Sequence, residues 1–337
     1  MFYGVAYGSQ WPVAGERMHQ WINDTARLAP GGWARIELDW GMVQPTDSSH
    51  WDWSWCDQIV TWTTAAGLNV LFLIAGPPAW ANDGNAAHCK PTSNAQFATF
   101  AAAAATRYAS LGVHTWEIGN EVNNAAFWNG TTAGEADYVA LLSAVTAAIK
   151  AVDASAYVIA ASTGPLGGGV GGDSDTAWLS AVVSAGMLSH CDAIGSHPYT
   201  AAVLASNTAD WNAFSHIARN ATSFVSILTA AGQSNFPIWI TEFGWPTYGP
   251  GVQSQSNTCW SEIGCVPGAQ CETETYEVQL VTDFVTQSKL VSNVKACIWF
   301  GDQDYGTNPA NREDWYGLRR IDGTCKPAWA AFKAAIA

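Results

Sequence analysis

Along the whole chain, short runs rich in β-branched and aromatic residues alternate with longer Ala-rich or amphipathic stretches. The strand-like runs are 2–8, 33–40, 69–76, 113–121, 157–164, 193–199, 237–245 and 294–301. Helical periodicity lies between them at 53–66, 94–110, 134–152, 211–231, 272–290 and 327–336. Strands that alternate with helices predict a parallel sheet with crossover connections, and eight such units in 337 residues predict an α/β fold of one kind, the (β/α)8 TIM barrel. The rival is an open doubly wound sheet. It would be marked by GxGxxG after a strand, and no strand candidate is followed by one. The glycine-rich stretch from Gly164 to Gly172 lacks the Lys-Ser/Thr ending of a phosphate loop and reads instead as a βα loop over the barrel mouth. A longer loop, Thr247 to Gln270, is predicted after the seventh strand. No repeat, linker or charge block divides the chain, so residues 1–337 are expected to form a single domain.

Composition narrows the partners. The formal charge is −14, with only 14 Lys and Arg, which argues against nucleic acid and against an anionic membrane surface. No apolar run reaches the roughly 18 residues of a membrane span. A neutral ligand fits better, and 19 Trp supply the flat faces on which sugar rings stack, although Trp is also a core residue. The start Met1 to Val5 lacks a basic leader and is expected to be that of a mature form. Of the eight Cys, Cys259, Cys265 and Cys271 crowd one Gly/Ser/Pro-rich loop, where a disulfide is expected, and the chain reads as a secreted monomer. Their spacing of six and six, with no CxxC and no His nearby, argues against zinc.

The chemistry lies at the strand tips. Trp116-Glu117-Ile118-Gly119-Asn120-Glu121 and Ile238-Trp239-Ile240-Thr241-Glu242 each run an apolar strand into a carboxylate where the strand ends. Two carboxylates on rigid tips suit an acid and a nucleophile on opposite sides of one glycosidic bond. In a barrel the strand C-termini share one mouth, which would gather Asn120, Glu121, His197, Tyr199, Glu242 and Trp299. Arg35, Glu37 and Asp39 alternate on one side of the second strand, and an ion pair within that set competes with a site role for Arg35. Glu117 points inward but deeper and reads as a structural partner, while His114 falls at the stability face. Asp302 and Asp304 either bind substrate or cap their loop. Neither GxSxG nor HExxH occurs, and no cofactor or metal is implied.

Here the sequence resembles the large clan of retaining (β/α)8 glycoside hydrolases, marked by Asn-Glu at the end of strand four and Glu at the end of strand seven. Together with Gly76-Pro77-Pro78-Ala79-Trp80-Ala81 and Thr241-Glu242-Phe243-Gly244-Trp245, the match is closest to families 39 and 5, which include β-xylosidases and exopolysaccharide endoglycosidases. The chain departs from the pattern at Gly119 and Val122. The resemblance implies Glu121 as acid/base and Glu242 as nucleophile, with Asn120 on the sugar 2-hydroxyl. Arg35 and Tyr199 would hold Glu242, His197 would lie beside the pair, Trp299 would floor the reacting sugar, and Trp80 would bind substrate. The expected activity is endo-acting, retaining hydrolysis of a polysaccharide or oligosaccharide. A transglycosylase with the same site and a non-catalytic glycan-binding barrel are the alternatives. The sugar is expected to be neutral, with an acidic or amino sugar held by Arg312, Arg319 or Arg320 left open.

Overall fold

The computed structural model describes residues 1–8, 15–85, 89–128, 134–165, 174–200, 203–247, 273–308 and 311–337. Eight parallel strands close into a barrel in chain order: β1 (Phe2–Ala6), β2 (Trp33–Asp39), β3 (Asn69–Ala75), β4 (Thr115–Asn120), β5 (Tyr157–Ser162), β6 (Ala193–Ser196), β7 (Ile238–Phe243) and β8 (Val294–Phe300). The ring closes by pairing Phe2 with Ala296 and Ala6 with Phe300. Outside it run α1 (Glu16–Leu28), α2 (Ser54–Ala65), α3 (Asn94–Tyr108), α4 (Glu135–Val152), α5 (Asp175–Ser184), α6 (Phe224–Ala230), α7 (Glu274–Leu290) and α8 (Pro327–Ile336). This is the predicted (β/α)8 barrel in a single domain.

Strand alternation sorts side chains into two layers. Outward residues such as Ile36, Leu38, Trp116, Ile118, Ile240 and Phe243 join one large apolar core with the helices. Inward residues Ala6, Leu71, Ile159, Ala193, Trp239, Ala296 and Ile298 form a smaller apolar cluster within the ring. Trp239 fills the N-terminal end, edge-on to Trp33 at 5.1 Å and tilted against Phe2 and Tyr157. Toward the C-terminal end the ring's filling changes from apolar to charged, and that change locates the site.

The strands stop one to three residues short of the ends of the hydrophobic runs. The expected helix at 211–231 is broken into a turn at Ser215–Ala218 and α6. Ser223 starts α6 afresh by accepting a hydrogen bond from Ser226 N, a capping role that competes with helix continuation. Most of the loops predicted at 164–172 and 247–270, with Cys259, Cys265 and Cys271, lie outside the described residues. The described cysteines, Cys56, Cys89, Cys191, Cys297 and Cys325, are free thiols, so no disulfide forms among them.

Candidate active site

Arg35 stands at the centre of the polar layer. From β2 its Nε donates to Glu117 Oε2 at 2.5 Å, its Nη1 to Glu242 Oε1 at 2.6 Å, and its Nη2 to Asn120 Oδ1 at 3.0 Å. One planar fork thereby fixes three side chains from two strands. Burial works against the charged guanidinium, but Glu117 and Glu242 outweigh it and hold Arg35 above its usual range. Sequence parity offered Glu37 or Asp39 as ion-pair partners; the structure shows Arg35 in ion pairs with Glu117 and Glu242. Glu117 itself is fully buried and satisfied: Ser162 and Thr241 donate to its Oε1, while Arg35 holds Oε2. A buried charge tolerates such a position only when both oxygens are satisfied in this way.

Glu242 and Glu121 sit in different surroundings. Glu242 receives Arg35 on one oxygen and Tyr199 on the other at 2.7 Å. Burial, and next the charge of Glu242, push the Tyr199 phenol well above its ordinary value, so it stays a donor. Glu121 meets no cationic Arg or Lys among the described residues; its Oε1 lies 2.9 Å from His197 Nδ1. One oxygen of each carboxylate and a ring nitrogen of His197 all lie within 4.8 Å of one another. Such a trio could ligate a metal, but Arg35 and Tyr199 already donate to both oxygens of Glu242, and the Arg35 charge there opposes a cation.

Both carboxylates reach the mouth through local departures from strand geometry. In β4, Gly119 takes φ +84°, and Glu121 follows at φ +41°, in the left-handed region. Any Cβ on Gly119 would point outward, 3.1 Å from Val122 Cγ1 and 4.0 Å from the Tyr138 ring, so the alternation slips and Asn120 turns to Arg35. In β7 the register against β8 shifts between Ile240 and Phe243, two outward residues, which gives both Thr241 and Glu242 to the interior.

The hydroxyls extend the network to His197. Thr241 Oγ1 lies 2.9 Å from Glu117 Oε1, 2.5 Å from Ser162 Oγ and 3.1 Å from His197 Nε2. The other ring nitrogen, Nδ1, faces Glu121 Oε1 at 2.9 Å and Glu242 Oε2 at 3.6 Å, so one imidazole stands between the two carboxylates.

The structure therefore brings Asn120, Glu121, Arg35, His197, Tyr199 and Glu242 together. It does not bring Trp299. That side chain is fully buried on the outer face of β8, packed on Phe243, Trp245 and Phe332, with its indole N–H on Tyr316 O at 3.0 Å. The aromatic wall beside Tyr199 is built instead from its neighbour Phe300 and from Tyr316, with ring centroids at 6.5 and 5.9 Å. The run VKACIWF shows no apolar/polar alternation near its end, so sequence could not reveal which of the two faces inward. Trp80 is half-buried in a turn after β3, edge-on to Trp40 at 5.4 Å, and donates to Gln44 O at 2.8 Å. Asp302 and Asp304 are buried in ion pairs with Arg319 and Lys326, which rules out sugar contact. Arg319 is committed to Asp24 and Asp302, Arg320 to Glu274, and Arg312 contacts Glu313. His114 pairs with Asp153 at the entry end of β4. Sequence reasoning passed over Ser162, Thr241 and Asn123, whose small polar side chains carried no motif.

Comparison with known proteins decides the family. The profile of Cellulase (glycosyl hydrolase family 5) matches residues 17–276, more than half of the chain. The chain belongs to that family. No curated protein matches the sequence. Solved structures share the fold of this family 5 chain at low identity. A family 39 glycoside hydrolase from Bacteroides cellulosilyticus WH2 is 19% identical, with TM-score 0.69, over 99% of this chain and 62% of that one. A monomeric β-xylosidase from Caulobacter crescentus CB15 is 17% identical, with TM-score 0.72, over 100% and 68%. Xylanase 10B from Thermotoga maritima is 13% identical, with TM-score 0.65, over 100% and 94%. The family 5 chain spans less than two thirds of the length of the first of these.

Proposed function

We propose that this family 5 chain cleaves a neutral polysaccharide or oligosaccharide with retention of anomeric configuration. Glu242 is the nucleophile and Glu121 the acid/base. The observation that carries the reading is the pair's asymmetry at short range. Glu242 is held by a cation and a phenol, Glu121 faces only the Nδ1 of His197 among the described residues, and oxygens of the two lie within 4.8 Å. Retaining enzymes place their carboxyls about 5–5.5 Å apart, whereas inverting enzymes need roughly 6.5 Å or more to admit a water.

The residues perform the reaction in two displacements. Glu242 attacks the anomeric carbon as the glycosidic C–O bond breaks, and Glu121 gives its proton to the departing oxygen. His197 Nδ1, 2.9 Å from Glu121 Oε1, orients that carboxyl beforehand. Glu121, now ionised, takes a proton from water as the water oxygen displaces Glu242, which restores both groups. Asn120 Oδ1 is fixed by Arg35, while its NH2 makes no hydrogen bond to a described residue and serves the sugar 2-hydroxyl. Phe300 and Tyr316 supply the apolar wall for the ring. Endo action and an extracytoplasmic, monomeric enzyme belong to the same proposal. They draw support from the abundant Trp, the acidic charge and the three cysteines of the 248–272 stretch.

Activated 2-fluoro-glycosides, followed by peptide mass mapping, test it. The expected result is a sugar adduct on Glu242, and Glu242→Gln should lower turnover by roughly four to six powers of ten. Turnover by Glu242→Gln at the native rate, or a first-formed product of inverted configuration by NMR, would overturn the reading.

A further inference from the structure

Glu121 has a support that lies outside the residues of the reaction. Two positions on from it, Asn123 is fully buried and clamps the peptide of Gly164, in the segment after β5. Its Nδ2 donates to Gly164 O at 2.9 Å, and its Oδ1 accepts from Gly164 N at 3.1 Å. The Glu121 carboxyl rests on that same peptide. A Cβ built on Gly164 would meet Glu121 Cδ at 3.0 Å and both its oxygens at 3.1 Å. Gly164 has no left-handed φ, so glycine is required there by the approach of Glu121 and not by backbone conformation. On the far side of the clamp, His197 N donates to Thr163 O at 2.9 Å, which ties the residue facing Glu121 to the peptide beside Gly164. Glu121 itself sits at φ +41°, a conformation a glutamate keeps only when its surroundings hold it.

We infer that Asn123 is a positioning residue for the acid, acting through the Gly164 peptide: it keeps that peptide against one face of the Glu121 carboxyl while His197 holds the other, and so fixes where the proton is delivered. This rests on Glu121 being the acid/base. A misplaced acid fails selectively. A leaving group that needs protonation suffers, and one that departs readily as an anion does not. A displacement near 1 Å in such geometry costs about 100-fold.

The experiment compares kcat/KM for two aryl glycosides of one sugar, a dinitrophenyl glycoside and a phenyl or alkyl glycoside, in wild type and in Glu121→Ala, Asn123→Ala, Asn123→Asp and Gly164→Ala. Circular dichroism checks folding. Glu121→Ala should lose the poor-leaving-group substrate and retain the activated one; equal loss on both overturns the acid/base reading itself. Given that result, Asn123→Ala and Gly164→Ala should lower the poor-leaving-group rate about 10- to 100-fold, with less than a threefold change on the dinitrophenyl glycoside. Asn123→Asp keeps the acceptor for Gly164 N and loses the donor to Gly164 O, so it should recover part of the loss. Parallel losses on both substrates, or no loss in either variant, overturn the inference. Gly164→Ala reads the same contact if Asn123→Ala fails to fold, because the three atoms nearest its added methyl all belong to the Glu121 carboxyl.

Discussion

The two ends of the barrel interior are built by the same strands and filled on opposite principles. At the N-terminal end, Trp33, Trp239, Phe2 and Tyr157 interlock by ring contact, with Ala296 and Ile298 in the same inward cluster. At the C-terminal end, one cation, Arg35, is shared by Glu117 and Glu242, with Ser162, Thr241 and His197 closing the network. Apolar filling is non-directional and tolerates small shifts at modest cost, whereas a buried ionic network is stable only when every donor and acceptor is met. The difference teaches where precision is spent. The lower layer holds the ring closed by ring contacts, and the upper one fixes polar atoms by directional hydrogen bonds.

Substitutions that separate the two ends sharpen the contrast. The largest effect is expected for Arg35→Met. It leaves Glu117 buried without its cation, a loss of about 3–5 kcal/mol by denaturant titration, and it frees Glu242, so turnover should fall by at least a thousandfold at saturating substrate. Retention of full stability would mean that Glu117 does not rely on Arg35. Trp239→Ala at the opposite end should cost a similar 3–5 kcal/mol through its cavity, with kcat of the folded enzyme within about twofold of wild type. A large fall in kcat at unchanged KM would show that the two layers are mechanically one.

The smallest effect probes the wall behind the mouth. Burial raises Asp302 from 3.8 to about 7, with Arg319 opposing the rise and Asp24 adding to it. Between those values the folded state holds a proton that the unfolded chain has released, so stability falls as pH rises from about 4 to about 7. The slope attributable to one such proton is at most about 1.4 kcal/mol per pH unit. Asp302→Asn should remove it, as read from melting temperatures across that range. An unchanged slope would place the titrating group elsewhere.

Much of this architecture was legible beforehand. Eight β-rich runs spaced by helical stretches leave few topologies, because parallel strands require crossovers and crossovers are helical. Glu121 and Glu242 stood out because each ends an apolar strand, a placement that recurs twice in one chain. The inward side of β2 likewise showed Arg35, but not which carboxylates it would meet, since Glu117 and Glu242 are 82 and 207 residues away. The strand-end reading placed Trp299 at the mouth, where an unbroken apolar run concealed that Phe300 is the inward residue.

The sequence by itself determined the ring of eight units, its acidic and Trp-rich character, and the two strand tips that carry carboxylates. These are local matters of periodicity, composition and strand ends. Only the tertiary structure decided that Arg35 joins Glu117 to Glu242, that the slip at Gly119 and the shift in β7 turn side chains into the mouth, and that Asn123 presses a glycine peptide onto Glu121. Each of these depends on barrel closure bringing distant backbone into hydrogen-bonding range, and no stretch of sequence short enough to read contains both partners.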